Sequence, residues 1–409
     1  MAVGSRTEML DSARSVDFCY RRYSLLMATS RQVNPYRPGF AQHPMLLAGR
    51  GAVVAGAREA LDVAALDGRM PRPMVLVGVR GVGKTVALNE IATLAAEGYG
   101  WPTVHVEVKP RTPLTTELVD RLTAVRALLS QTPEGGRLQL NEAKLKAGAF
   151  GVGGEAGFAR AAAAEPADAV EAALRRACEA ALEKNAGLVL TIDEVQLAAR
   201  EDLAALTAAL QRHVPDGWPL VVAVAGLPSL RDPHSSVTYL ERGEWHELGL
   251  LSEGDTIDAL VQPAVVANRP MTPPSAHLLA RACGGYPYAI QVFGHHAWRA
   301  STGADVIDLG HAEQAIVAAQ QDLASGLFAG RWHDASPKER EYLKALAQLL
   351  EAKGSAAHAD VCGIIGREPA QLSYLRARLI QKGTLFSDGR SLRFLVPGMA
   401  RWIAQGDDD

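Results

Sequence analysis

The strongest constraint on the fold is a glycine-rich segment that follows directly on a short apolar run. The apolar run is Met74-Val75-Leu76-Val77, and the segment is Gly78-Val79-Arg80-Gly81-Val82-Gly83-Lys84-Thr85. Together they fit the pattern G-x-x-x-x-G-K-[ST], in which a buried strand turns sharply into a helix. Glycines let such a loop turn its backbone N–H groups inward around an anion. The alternative, an ordinary glycine-rich turn, is disfavoured by the full pattern in this context.

This segment predicts a site for the phosphates of a nucleotide. Lys84 would place its ammonium group on the β- and γ-phosphates, and Thr85 would offer its hydroxyl to Mg²⁺. The helix beginning near Thr85 would direct the positive end of its dipole at the anion. The residues expected to contact the nucleotide here are Gly78, Val79, Arg80, Gly81, Val82, Gly83, Lys84, Thr85 and Val86.

A second apolar run, Leu188-Val189-Leu190-Thr191-Ile192, ends in the acidic pair Asp193-Glu194. Such a run is typical of a strand that is buried on both faces of a parallel sheet. Asp193 is the expected Mg²⁺ ligand, and Glu194 is expected to orient and polarise the attacking water. Taken alone, the pattern also fits a strand that passes into an acidic loop. Its agreement with the glycine-rich segment favours nucleotide binding, and hydrolysis further requires a correctly placed Glu194.

Strand and helix patterns alternate over residues 46–252 and predict an α/β fold with a parallel sheet sandwiched by helices. The ligand of such a sheet lies at the carboxyl ends of its strands, where both motifs fall. Further helical patterns predict a helical lid domain over residues 253–330. Residues 1–45 are rich in turn formers towards their end and are expected to form a flexible leader and an extended arm.

Residues 331–409 carry the order expected of a winged helix, namely three helices and then a hairpin that turns on Asp388-Gly389. Ser336 and Glu339 predict a capping box where the first of these helices starts. Residues 331–406 contain 12 Lys/Arg against 7 Asp/Glu, a net charge of +5, and Asp407, Asp408 and Asp409 offset three of these charges. The residues that would face double-stranded DNA are Gln371, Ser373, Arg376, Arg378, Lys382, Arg390 and Arg393. The alternative is a protein-packing module whose charges form a solvated face.

Net charge, cysteine spacing and the length of the apolar segments argue against several classes of function. A net charge of −3 over 409 residues gives no global signature of nucleic-acid binding, so any basic surface must be local. The four cysteines show no C-x-x-C spacing, which argues against a metal centre or a disulfide framework and fits a reducing cytoplasm. Apolar segments stay well short of the ~20 residues that cross a bilayer, so no membrane partner is expected.

These motifs resemble the AAA+ class of P-loop ATPases, in the origin-recognition-like branch that grades into the STAND signalling ATPases. The resemblance covers roughly residues 34–402 and includes Leu47-Ala48-Gly49-Arg50 and Gly284-Gly285-Tyr286-Pro287-Tyr288. It implies that Gly49 and Arg50 line the adenine and ribose and that Pro287 packs on the base. It also implies an arginine finger given to a neighbouring subunit, with Arg242 as first choice and Arg231 as second. The simpler alternatives are a surface arginine and a proline that only starts a helix.

The chain departs from this family in two places. The tip of the fourth predicted strand, Ala225-Gly226-Leu227-Pro228, lacks the usual polar sensor and leaves Ser229 as a weak substitute. No arginine stands clearly in the lid position that closes on the γ-phosphate, although Arg281 is close in sequence. The sequence thus predicts a slow, Mg²⁺-dependent ATPase that switches between ATP and ADP states and couples them to DNA binding or assembly. The alternative is a STAND-like scaffold that binds a protein partner or its own copies and no nucleic acid.

Overall fold

The computed structural model describes residues 33–39, 42–131, 166–213, 217–231, 240–389 and 391–406. The described residues form two compact units: those within 50–249 form one, and those within 33–49 and 250–406 form the other. The glycine-rich stretch at residues 146–154, expected to be an insertion or hairpin, lies outside the described residues, as does Arg390. None of the described helices combines the length and apolar character that crossing a membrane would need.

The unit Arg50–Gly249 is built on a parallel five-stranded sheet. Its strands are β1 (Met74–Val77), β2 (Thr103–Glu107), β3 (Leu188–Asp193), β4 (Leu220–Gly226) and β5 (Glu244–Glu247). They lie in the order β2-β3-β4-β1-β5, and every neighbouring pair is parallel. All residues of β1, β3 and β4 are buried, which explains their continuous apolar sequences. The predicted α/β class with a parallel sheet is confirmed.

Five described helices flank this sheet. They are α1 (Gly51–Leu66), α2 (Lys84–Leu94), α3 (Leu114–Ser130), α4 (Pro166–Leu182) and α5 (Arg200–His213). One core cluster joins strand residues such as Leu190 to Leu118, Leu174 and Leu206 on three of the helices. Parallel strands need such crossover helices, so all five strand ends fall on one edge of the sheet. Both predicted motifs therefore meet at that edge.

The other unit is mainly helical. Its helices are α6 (Glu253–Val266), α7 (Pro273–Cys283), α8 (Pro287–Ala300), α9 (Leu309–Leu323), α10 (Ala329–His333), α11 (Pro337–Lys353), α12 (His358–Ile365), α13 (Pro369–Gln381) and α14 (Met399–Gln405). Strands β6 (Leu385–Asp388) and β7 (Ser391–Phe394) form an antiparallel hairpin between α13 and α14. The sequence patterns anticipated α6 to α8 and α11 to α13, whereas α9, α10 and α14 were not predicted.

Residues of the N-terminal arm are anchored in this helical unit. The Tyr36 side chain is buried, and its hydroxyl donates a hydrogen bond to the carbonyl oxygen of Leu260 on α6. The Asn34 side chain lies 3.0 Å from Nδ1 of His295 on α8. The backbone N–H of Arg37 donates to the Gln291 side chain at 3.0 Å. An extended segment with no regular structure of its own is thus held by side-chain contacts to two helices.

A buried carboxylate organises the start of the C-terminal segment. Ser336 and Glu339 form the predicted capping box at α11. The fully buried Glu339 carboxylate also accepts a hydrogen bond from Lys382 Nζ at 3.0 Å and lies 3.3 Å from Arg378 Nε. Burial raises the pKa of Glu339, but the Ser336 N–H and Lys382 outweigh it and lower the pKa below the usual range. Two cations predicted to face DNA are therefore paired with this carboxylate, Lys382 mostly buried and Arg378 still exposed.

Candidate nucleotide-binding site

The glycine-rich segment joins β1 to α2 and depends on its glycines. Gly83, directly before α2, has a φ of 93°, in the left-handed region that favours glycine. A Cβ on Gly78 would lie 2.3 Å from the carbonyl oxygen of Leu248. The N–H of Gly78 donates to the carbonyl oxygen of Gly226, at the end of β4, at 3.2 Å. The first glycine of the pattern is therefore packed between two neighbouring strand ends.

Lys84 is held inside the turn of this loop. Its side chain is buried, with 6% exposed, and Nζ donates to the carbonyl oxygens of Gly78 at 3.0 Å and Val79 at 3.1 Å. Burial lowers the pKa of Lys84, while the nearby carboxylates of Glu194 and Asp193 act in the opposite direction. An ammonium group has three N–H donors, and these two bonds to described residues leave one for a phosphate oxygen. The site therefore holds a positive charge where an anion would compensate its burial.

The two predicted motifs are in direct contact. Thr85 Oγ1, on the first turn of α2, lies 2.5 Å from Asp193 Oδ2, at the end of β3. Asp193 is buried, with 3% exposed, and its Oδ1 accepts a hydrogen bond from the N–H of Glu194 at 2.8 Å. A hydroxyl and a carboxylate are the oxygen donors that Mg²⁺ prefers. The donor set of this pair therefore fits a magnesium ion that also binds phosphates.

Glu194 is fixed by its backbone and by a glutamine that sequence reasoning did not identify. Its φ of 53° places it in the left-handed region, which is uncommon for a residue with a side chain. Its Oε2 accepts a hydrogen bond from Gln196 Nε2 at 2.5 Å. Gln196 Oε1 accepts in turn from the N–H of Leu227 at 3.0 Å, just after β4. The available sequence signal was a polar residue two positions beyond Glu194.

Arg50 has a role at the loop that the sequence did not reveal. It is buried at the start of α1, and its Nη2 donates to the carbonyl oxygens of Val82 at 3.0 Å and Gly249 at 2.7 Å. The guanidinium group thus joins the glycine-rich loop to the chain that follows β5. Gly49 and Pro287 belong to the other unit, where Pro287 is the first residue of α8. The contacts of Gly49, Arg50 and Pro287 with a nucleotide stay predictions.

The two candidate finger arginines lie in turns beside the edge strand β5. Arg242 is exposed in a short 3₁₀ turn, Leu240–Arg242, that precedes the edge strand β5. Arg231 stacks over the ring of Trp245 at 5.3 Å and lies 3.2 Å from the carboxylate of Glu247. Arg231 therefore already has two partners, Trp245 and Glu247, within the same chain. A role for Arg242 in a neighbouring subunit stays a prediction, and so do the nucleotide contacts of Arg80 and Val86.

Two protein-family models match parts of the sequence. Residues 46–223 match the model described as an AAA ATPase domain. This part of the chain therefore resembles an AAA ATPase domain. Residues 325–403 match a second model, described only as a domain of unknown function. Comparison with curated protein sequences finds no match.

Comparison with solved structures concerns the fold of most of the chain. The Walker-type ATPase PABY2304 of Pyrococcus abyssi has a TM-score of 0.58 and 15% identity, covering 87% of this chain and 95% of that one. Cdc6p from Pyrobaculum aerophilum has a TM-score of 0.48 and 14% identity, with coverage of 90% and 95%. The RuvB Holliday junction branch migration motor of Thermotoga maritima has a TM-score of 0.44 and 15% identity, with coverage of 88% and 95%. At these identities the likeness concerns the fold alone, and only the first score is high enough to support it.

Proposed function

We propose that the AAA ATPase domain binds ATP together with Mg²⁺ and hydrolyses the ATP slowly. The observation that carries this proposal is the 2.5 Å contact between Thr85 Oγ1 and Asp193 Oδ2, which joins the two motifs at one edge of the sheet. Lys84 binds the β- and γ-phosphates with its ammonium group. Thr85 and Asp193 would hold Mg²⁺, which neutralises charge on the phosphate oxygens.

Glu194 supplies the chemistry of hydrolysis in this proposal. Its carboxylate accepts a hydrogen bond from the attacking water and aligns it with the γ-phosphorus. The new bond forms between the water oxygen and the γ-phosphorus, and the Glu194 carboxylate accepts the proton that the water loses. The bond to the β–γ bridging oxygen breaks, and ADP and phosphate leave. Positioning and charge stabilisation account for most of such catalysis. Since β4 carries no polar sensor side chain at its tip, slow turnover is expected.

Phosphate release from ATP by the full-length chain tests this proposal. With Mg²⁺ present we expect steady release at rates below about one per second, the low end for enzymes of this kind. With the metal chelated, release is expected to fall to background. A chain that binds Mg²⁺ and ATP but releases no phosphate over hours would contradict the catalytic half of the proposal.

We further propose that nucleotide state controls DNA binding by a winged helix within residues 331–409. The order α11, α12, α13 and then the β6–β7 hairpin supports it, together with a bridge from Ala357 to Ser391 beside that hairpin. Gln371 and Tyr374 are exposed on α13, and Arg393 is exposed on β7. A nucleotide shifts a conformational equilibrium only if it binds the two conformations with different affinities. ATP and ADP must therefore differ in their relative affinity for the DNA-binding conformation and the other conformation.

A second candidate function is supported by the Glu339 carboxylate. Lys382 and Arg378, which a DNA-binding helix would offer to phosphates, are engaged with Glu339 at 3.0 Å and 3.3 Å. The Lys382 side chain is only 22% exposed in this contact, whereas the Arg378 side chain stays 57% exposed. In this alternative the C-terminal segment docks on a protein partner or on another copy of the chain, and ATP serves assembly without nucleic acid.

Reversing the charge of Arg393 separates the two candidates. Arg393→Glu is expected to weaken duplex DNA binding about tenfold at low salt and to reduce the salt slope by about one or more, because it removes a phosphate contact. Lys353→Glu, an equal charge change at the exposed end of α11, is the matched control. Fluorescence anisotropy over a range of salt concentrations measures both effects.

Equal losses in the two variants, or no binding by the wild-type chain at low salt, would favour the protein-docking alternative. Point substitutions suit this test better than removal of residues 331–409. The Trp402 ring packs 5.9 Å from Phe328 and 6.2 Å from Trp332, centroid to centroid. Truncation would therefore expose aromatic core.

A further inference from the structure

The tip of β4 is in contact with a polar group from the turn that follows the neighbouring strand β3. Its own residues, Ala225, Gly226 and Leu227, offer no polar side chain. The Gln196 side chain, two residues beyond Glu194, reaches this position from the turn after β3. Its Oε1 accepts the N–H of Leu227 at 3.0 Å. The amide group of Gln196 thus lies where the strand itself provides none.

The same amide group fixes the carboxylate of Glu194. Gln196 Nε2 donates to Glu194 Oε2 at 2.5 Å, so the donor and the acceptor of one amide serve two different partners. The fit at the strand is close, since a Cβ on Gly226 would lie 2.7 Å from Gln196 Oε1. A flipped amide would place its donor against the N–H of Leu227. The backbone therefore determines which end of the amide faces Glu194.

These contacts continue to the glycine-rich loop. The carbonyl oxygen of Gly226 accepts a hydrogen bond from the N–H of Gly78 at 3.2 Å. The N–H of the next residue, Leu227, donates a hydrogen bond to Gln196 Oε1. The first glycine of the loop, the tip of β4, Gln196 and Glu194 thus form one connected series. A shift of the loop on binding phosphates would be transmitted to the carboxylate through backbone and amide contacts.

We propose that Gln196 is a positioning residue that orients the Glu194 carboxylate for attack by water. This inference rests on the proposed ATPase function and deepens it. Gln196 lies in the turn after β3, and its amide contacts the tip of β4, which has no polar side chain of its own. It acts through Glu194 and through the Leu227 N–H, the two partners of its side-chain hydrogen bonds.

The test compares Gln196→Met, which keeps the length of the side chain without its amide, with Gln196→Ala. Both are expected to lower kcat roughly tenfold to hundredfold, since a misplaced catalytic group loses about this much. KM and the affinity for ATP are expected to stay within about twofold, because Gln196 does not bind the nucleotide. Gln211→Ala, exposed on α5, is the control and is expected to leave kcat unchanged.

A double-substitution cycle separates positioning from a structural role. In the Glu194→Gln background, measured with enzyme in excess over labelled ATP, Gln196→Met is expected to cause no further loss. An equal loss in both backgrounds would overturn the inference, and so would a wild-type kcat in Gln196→Met. A wild-type chain that binds ATP without hydrolysing it overturns the proposed function as well. Hydrolysis that is insensitive to Gln196 overturns this inference alone.

Discussion

Lys84→Ala is expected to weaken ATP binding about a hundredfold or more while the chain stays folded. A charge-assisted hydrogen bond contributes about 1.5–3 kcal/mol, and the ammonium group offers such bonds to the β- and γ-phosphates. The folded state should tolerate the change because burial already penalises this charge, as the lowered pKa of Lys84 shows. The loss should therefore appear in the affinity for nucleotide and not in the thermal midpoint.

Titration with a fluorescent ATP analogue in the presence of Mg²⁺ measures this effect. Lys338→Ala, which removes an exposed lysine from the first turn of α11, serves as the control and should bind like the wild-type chain. An affinity of Lys84→Ala within about threefold of the wild-type value would refute the assignment of the glycine-rich loop as the phosphate site. A lowered thermal midpoint would instead mean that Lys84 is required for folding.

Glu194→Gln is expected to abolish hydrolysis and to preserve binding of ATP. The amide cannot accept a proton from the attacking water, and loss of such a group lowers rates by about 10²- to 10⁴-fold. Its size and shape are nearly unchanged, and Lys84, Thr85 and Asp193 remain in place, so affinity should stay within about twofold. Single-turnover assays with enzyme in excess give the rate, and the fluorescent titration gives the affinity.

The matched control for this substitution is Glu183→Gln, at an exposed carboxylate just after α4. Its hydrolysis rate should equal that of the wild-type chain. A Glu194→Gln chain that hydrolyses ATP at the wild-type rate would show that another group orients the water. A tenfold loss of affinity would show instead that Glu194 supports the phosphate site itself.

The sheet was predictable where local sequence determines burial. Strands β1, β3 and β4 are buried throughout, so their apolar runs marked them without knowledge of their partners. β5 was missed because its sequence, Glu-Trp-His-Glu, is polar and only half buried. It becomes a strand by pairing with β1 at the edge of the sheet. Such a pairing is non-local and leaves no local signal.

The same distinction applies to the candidate site. The contact between Thr85 and Asp193 follows from topology, because parallel strands bring their carboxyl ends to one edge. The bridge made by Gln196 depends on the distance between two turns, which no sequence pattern encodes. Arg50 illustrates a third situation. The resemblance placed it near the nucleotide, whereas its contacts to Val82 and Gly249 also make it a support for the loop.

The helical unit was predictable where capping residues mark the helix ends. Ser336 and Glu339 identified the start of α11 before any packing was known. Helix α9 lacks a strongly apolar stripe and buries mainly alanines, including Ala312 and Ala319, so its periodicity was weak. Helix α14 has seven residues and depends on packing of Trp402 against Phe328 and Trp332. Tertiary contacts therefore decide these elements.

Calorimetric titration of the full-length chain with ATP, with Mg²⁺ and with the metal chelated, tests the central claim most directly. The pairing of Thr85 with Asp193 beside Lys84 predicts one nucleotide per chain and an affinity that falls at least about tenfold without the metal. Saturable binding that is indifferent to Mg²⁺, or no binding in either condition, would contradict the assignment of this sheet edge as the site of Mg²⁺ and ATP.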